Sequence, residues 1–146
     1  MPRAEVPDTS VFITVFRDPD TWPAFQEAIV SGRFWLSSLV IAELYAGTRS
    51  RADSVALDRI VAAVARVDRV LTPKAGDWAR AGRLLARRIR LQGSLRPRDH
   101  LADVLIVVSA ARLGGTVITA NVRHFSTWVE PANEAGIEVG LTPFRP

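Results

Sequence analysis

Leu101-Ala-Asp-Val-Leu-Ile-Val-Val-Ser-Ala-Ala111 is almost wholly apolar and carries one carboxylate, Asp103. Pro97-Arg-Asp-His100 before it reads as a loop with Asp99 as helix N-cap, and Gly114-Gly115 after it as a helix stop, so the stretch is expected to be a helix. Helical spacing sets Asp103 against Ile106 and Val107 rather than on a charged face. An ionised carboxylate taken from water is costly unless it is paired or binds a metal. Glu43 interrupts the equally apolar Leu39-Val-Ile-Ala-Glu-Leu-Tyr-Ala46, and Asp8 follows a short apolar strand. Three acids against apolar walls imply a shared cation, and the rest of the chain is read around them.

The chain has 146 residues, 48% hydrophobic and 23% charged, which suits one globular domain over 1–146 and excludes a disordered chain. Zero cysteines remove disulfides, thiolate nucleophiles and cysteine zinc sites together. The apolar runs are too short to span a membrane, and the N-terminus lacks a basic-then-apolar signal pattern, so a cytoplasmic protein with no membrane partner is expected. The formal net charge of +4 is a weak pointer to nucleic acid, but Lys74 is the only lysine among 19 basic residues. Arginine forks suit phosphate, although GC-rich codon usage gives the same bias.

Ala4–Val6 reads as a strand ended by Pro7, and Asp8-Thr-Ser10 as the start of a helix. Thr21 caps a second helix, Arg33–Ser37 is a strand, and Ser37 or Ser38 caps a helix through Ala46. Arg51–Val67 is amphipathic, Val67–Leu71 is a short strand, and Thr72-Pro73 opens a helix with Trp78, Ala81, Leu85 and Ile89 inward. Arg83, Arg87 and Arg90 on that helix, extended by Arg96 and Arg98, form a face for RNA, for an acidic partner or simply for solvent. Thr116–Thr119 is a β-branched strand leading to Asn121, Ile137–Leu141 is a candidate last strand, and His100 is a surface residue. Strands alternating with helices imply an α/β fold with a mainly parallel central sheet covered on both faces. Ligands bind such sheets outside the carboxyl ends of the strands, where Asp8, Glu43, Asp103 and Asn121 would converge.

Oxygen-only donors select hard cations, Mg²⁺ or Mn²⁺ rather than zinc, and such sites hydrolyse phosphodiesters. No Ser/His/Asp or Cys/His set competes, and neither a phosphate-binding P-loop nor a dinucleotide-binding glycine motif is present.

Asp8-Thr-Ser, Ser38-Leu-Val-Ile-Ala-Glu43-Leu, Asp103-Val-Leu-Ile and Thr119-Ala-Asn121-Val-Arg-His-Phe125 resemble the successive motifs of PIN-domain ribonucleases, and most closely those of VapC toxins of type II toxin–antitoxin systems. The resemblance runs from Val6 to Phe125. It implies a PIN-like α/β/α sandwich and a Mg²⁺-dependent endoribonuclease, with Mn²⁺ as substitute. Asp8, Glu43 and Asp103 correspond to the acidic metal-binding triad, and Asn121 stands where many members have a fourth acid. Ser10 and Thr119 match supporting polar positions. His124 stands where an aspartate often precedes Phe, a departure that leaves the triad untouched. A homodimer and a cognate VapB-type antitoxin, seated in a groove beside the site, are also implied.

Two further readings remain: another PIN-type nuclease acting in RNA processing or on DNA, and a non-enzymatic RNA- or protein-binding module in which the acids are structural. A receiver-type signalling domain also gathers acids at strand ends, but it needs a lysine near the last strands, and Lys74 precedes a mid-chain helix.

Overall fold

The structure, a computed structural model, describes residues 3–145. Five short strands, β1 (Glu5–Pro7), β2 (Leu36–Ser37), β3 (Val70–Leu71), β4 (Thr116–Thr119) and β5 (Gly140–Pro143), are all parallel to their neighbours. One ladder runs β1-β4-β5 and another β2-β3, and a Glu5–Phe34 bridge sets β2 beside β1. The sheet therefore reads β3-β2-β1-β4-β5, with β1 and β4 at its centre. Thr116–Thr119 is buried along its whole length, as a central parallel strand requires.

Among the described residues seven α-helices cross between the strands: α1 (Thr9–Arg17), α2 (Trp22–Val30), α3 (Ser38–Ala46), α4 (Arg51–Arg66), α5 (Ala75–Gln92), α6 (Pro97–Arg112) and α7 (Val122–Glu134). They flank the sheet, which gives the α/β architecture expected from the alternation of patterns. The central helix is α6, buried continuously from Val104 to Ala110 and packed against α5, α7, β1 and β4. Gly114 ends it with φ +65°, and a Cβ on Gly115 would lie 2.7 Å from the Ala4 carbonyl oxygen, so glycine is what lets the chain turn into β4.

Several local expectations are corrected. β1 starts at Glu5 rather than Ala4 and ends at Pro7, as expected, with Pro7 itself opposite Ile118; the amide of Asp8 takes up the ladder by donating to Ile118 O at 2.9 Å. Pro97 opens α6 at its first turn, so Asp99 lies inside the helix instead of capping it. Thr72-Pro73 does not start α5. The start is at Ala75, where the Lys74 amide donates to Asp77 Oδ2 at 2.9 Å. Asp77 is buried and takes the Arg112 Nε at 2.9 Å, pinning α5 to the end of α6. The buried stripe of α5 is Ala81, Leu84 and Leu85, with Ile89 half-buried, while Trp78 in the first turn is not covered and is 48% exposed. Among the described residues no helix is long and apolar enough to cross a membrane.

Candidate functional site

Asp8 follows β1 at the carboxyl edge of the sheet and is 6% exposed. Its backbone is extended, at the N-cap position of α1, but its side chain does not cap that helix. Instead Oδ1 accepts from Ser10 Oγ at 2.5 Å and Oδ2 from Thr119 Oγ1 at 2.9 Å. Both hydroxyls are fixed by further bonds: Ser10 Oγ accepts from the Ala120 amide at 3.0 Å, and Thr119 Oγ1 from the Asn121 amide at 2.9 Å. Burial pushes the Asp8 carboxyl above its ordinary value, and the Ser10 and Thr119 hydroxyls offset part of that rise.

Glu43 lies on α3 and does not share this setting. Apolar neighbours in sequence led to the expectation of burial, yet the carboxylate is exposed, because Ala42, Glu43 and Ala46 form the outer side of α3 while Val40 and Leu44 face inward. Its Oε2 accepts from Thr9 Oγ1 at 2.7 Å, which ties it to the residue next to Asp8. Asp103 is in the second turn of α6, with its side chain 23% exposed. Its Oδ2 lies 2.7 Å from His124 Nε2. His124 is in the first turn of α7, whose N-cap Asn121 accepts the His124 amide through Oδ1 at 3.2 Å.

These bonds form one chain of contacts, from Asp103 through His124, Asn121 and Thr119 to Asp8 and Ser10, with Glu43 attached through Thr9. Asp8, Ser10, Asp103, Thr119 and Asn121 are thus brought together at the carboxyl ends of β1 and β4. Among the described residues no three acids or histidines converge closely enough, as their side chains stand, to enclose an ion. Nor does any arginine or lysine among them pair with Asp8 or Asp103. A buried carboxylate held by neutral donors, the Ser10 and Thr119 hydroxyls and the backbone of Ser10 and Val11, in one network with two more accessible acids and an amide oxygen, is a hard-oxygen donor set suited to Mg²⁺ or Mn²⁺.

Sequence reasoning missed two partners. Thr9 holds Glu43, and His124, read as a departure that leaves the triad untouched, contacts Asp103 directly. The N-cap spacing from Asn121 to His124 places the ring in the first turn of α7 but does not signal its contact with Asp103. The arginines divide into two sets. Arg83, Arg87 and Arg90 line a cavity of about 660 Å³ with Arg80, closed by Ala111 and Ala135–Glu138 near the ends of α6 and α7. There Arg87 donates to Pro131 O and pairs with Glu134 at 3.7 Å. Arg96 and Arg98 stand at the opposite end of α6, one to two turns before Asp103. A separate open groove of about 1060 Å³ between α1, α2 and α4 is lined by Phe16, Trp22, Ile29, Val30 and Ile60.

No curated protein matches the sequence. Among solved structures, the fold is similar to a chain of the DNA-bound VapBC complex of Salmonella typhimurium, with TM-score 0.66 and 20% identity over 97% of this chain and 98% of that one. It is similar also to a chain of FitAB bound to a DNA fragment, with TM-score 0.64 and 15% identity over 95% and 94%. VapBC2 of Rickettsia felis bound to promoter DNA gives TM-score 0.63 and 15% identity over 97% and 99%. Residues 6–127 match the PIN domain, and with the acidic network at the sheet's carboxyl edge lying inside that span, the chain belongs to the PIN-domain family.

Proposed function

We propose that this chain is a Mg²⁺-dependent endoribonuclease and the VapC-type toxin of a type II toxin–antitoxin pair. The observation that carries the reading is Asp8: a carboxylate 6% exposed, without a cationic side chain beside it, fixed by two hydroxyls at the edge of the sheet where ligands bind. Asp8, Glu43 and Asp103 would hold the cation, with Asn121 contributing its amide oxygen or an ordered water. When bound, such an ion stabilises negative charge on the phosphodiester and lowers the pKa of an attacking water. Ser10 and Thr119 keep the Asp8 carboxylate in one orientation. Glu43, exposed and bonded to Thr9, would turn from that hydroxyl to hold the ion. Arg96 and Arg98 neutralise RNA phosphates near the acids, and the groove of Arg83, Arg87 and Arg90 takes phosphates further along the strand.

The apolar groove between α1, α2 and α4 supports an antitoxin partner. Phe16 is 46% and Val30 75% exposed there, and the structural relatives named above are VapBC and FitAB complexes. A VapB-type antitoxin would lay the apolar side of a helical segment into it. The nuclease, as the resemblance implies, is a homodimer in a cytoplasmic setting, which sedimentation of the purified chain tests.

The deciding experiment incubates the protein with labelled RNA and with single-stranded DNA of the same sequence, in Mg²⁺ and in chelator. Cleavage of RNA that needs Mg²⁺ and disappears in Asp8→Asn is the expected result. Cleavage that persists in chelator, or that favours DNA, overturns the proposal.

A further inference from the structure

We infer that His124 is a nitrogen ligand to the cation at Asp103, which turns the site from Mg²⁺ toward the borderline divalent ions Co²⁺ and Zn²⁺. This rests on the reading of the acids as a metal centre and adds a ligand to it. In the structure the imidazole Nε2 and Asp103 Oδ2 face each other at 2.7 Å. Two neighbouring ligands at right angles, with bonds of about 2.1 Å, lie about 3.0 Å apart. In the hydrogen bond the ring nitrogen is aimed at the carboxylate oxygen, so an ion is admitted when the exposed ring turns and both donors face a common point beside that line.

The surroundings favour the imidazole over the amide as the donor on this side. Asn121 Oδ1 is engaged by the His124 amide, so its first role is to cap α7 and fix the turn that carries His124. The ring lies edge-on to Phe125, with centroids 5.4 Å apart and planes at 88°, and Phe125 is buried. His124 and Asp103 side chains are 45% and 23% exposed, open enough for an ion to reach both. A neutral imidazole brings no negative charge to attract Mg²⁺, which like Mn²⁺ prefers oxygen, but it bonds well to Co²⁺ and Zn²⁺.

Co²⁺ titration of the full chain, followed by visible absorption and by proton NMR, tests the assignment alongside calorimetric Mg²⁺ titration. The wild type should bind Co²⁺ and show a strongly shifted, solvent-exchangeable imidazole N–H resonance. His124→Ala should lose that resonance and weaken Co²⁺ binding at least as much as loss of an outer-shell partner does, about 10- to 100-fold, with little change for Mg²⁺. His124→Asp, which keeps a ligand but makes it oxygen, should bind Mg²⁺ more tightly than wild type and still lack the resonance. His100→Ala, removing the only other histidine, should retain it. If Asp103→Asn weakens Co²⁺ binding while His124→Ala leaves affinity and spectrum unchanged, the histidine assignment is overturned and the acid-held cation stands. If the wild type binds no Co²⁺ and no Mg²⁺, both fall.

Discussion

Thr119 Oγ1 donates to Asp8 Oδ2 at 2.9 Å and accepts the Asn121 amide at 2.9 Å, so one buried hydroxyl joins the end of β1 to the turn that starts α7. With its single proton given to the carboxylate and a lone pair given to the amide, Thr119 is satisfied in one orientation only. The position of Asp8 and that of Asn121 and His124 are therefore linked.

Thr119→Val keeps the shape and the β-branched preference of β4 but removes both bonds. It leaves the Asn121 amide without its acceptor and Asp8 with Ser10 as its remaining side-chain donor. Loss of stability of about 1–3 kcal/mol is expected, the usual cost of stranding a buried polar partner, measured by urea unfolding of the metal-free protein. Thr119→Ser, which keeps the hydroxyl, should recover most of it.

Asp8 gives a pH dependence with a defined sign. Its folded-state pKa is raised above the unfolded value by burial, so between those two values the folded protein binds more protons than the unfolded chain. The metal-free protein should therefore become less stable as pH rises through that window, and the penalty should persist at neutral pH. Asp8→Asn removes the titrating group: its contribution to the slope should vanish, and the variant should melt above wild type at pH 7 in chelator while losing metal-dependent cleavage. Equal melting curves across the acidic range would show that the hydroxyls fully compensate burial.

How far the site was legible follows from what each residue depends on. Asp8 and Asp103 stand out because polar residues in apolar runs must be explained by a partner, and α6 is indeed buried over seven consecutive residues after Asp103. Glu43 misled for the same reason: α3 is apolar on nearly all sides, yet only Val40 and Leu44 of it are fully buried, and burial depends on which neighbouring element covers each face. The helix starts at Pro97 and Ala75 were displaced by three and two residues because proline and an acidic first-turn side chain outcompeted the expected caps. The Thr9–Glu43 and Asp103–His124 contacts join residues 34 and 21 positions apart and depend on packing that periodicity does not encode.

The arginine sets predict distinct salt behaviour. Arg87 is already engaged with Glu134 and Pro131, so the exposed Arg83 and Arg90 are the better probes of the groove. If RNA follows both sets, Arg83→Glu with Arg90→Glu, and separately Arg96→Glu with Arg98→Glu, should each raise KM more than they lower kcat. Each double variant should reduce the slope of log affinity against log salt by about 1.4, at about 0.7 per phosphate contact on a single strand. An unchanged slope for the first pair alone would confine the RNA to the Asp103 end of α6.

Asp103→Asn separates chemistry from folding. The carboxylate is partly exposed and its contact at 2.7 Å is with His124, from whose ring N–H an amide oxygen can still accept a hydrogen bond. The variant should retain the circular dichroism spectrum of the wild type and a melting temperature close to it, while RNA cleavage falls to background. A fully active Asp103→Asn protein would remove Asp103 from the catalytic set.

Asn121 sits where an added charge has two opposing effects. As the N-cap of α7 it already accepts the His124 amide, and aspartate caps a helix as well as asparagine does. A negative charge there also meets the positive end of the α7 dipole, a gain of about 0.3–1 kcal/mol at an exposed position. Against this stands repulsion from Asp8 and Asp103, weakened because residue 121 is open to water. In the absence of metal these effects should nearly cancel, leaving the stability of Asn121→Asp within about 0.5 kcal/mol of wild type, as for most exposed substitutions. Binding a divalent cation removes the repulsion and keeps the attraction, so the same variant should bind Mn²⁺ more tightly, by about tenfold, and reach full activity at a lower metal concentration. Calorimetric Mn²⁺ titration without RNA, paired with thermal melting in chelator, reads the two effects separately. Tighter metal binding with unchanged metal-free stability is the expected pattern; a variant that binds Mn²⁺ no better would place Asn121 outside the metal centre, as a helix cap alone.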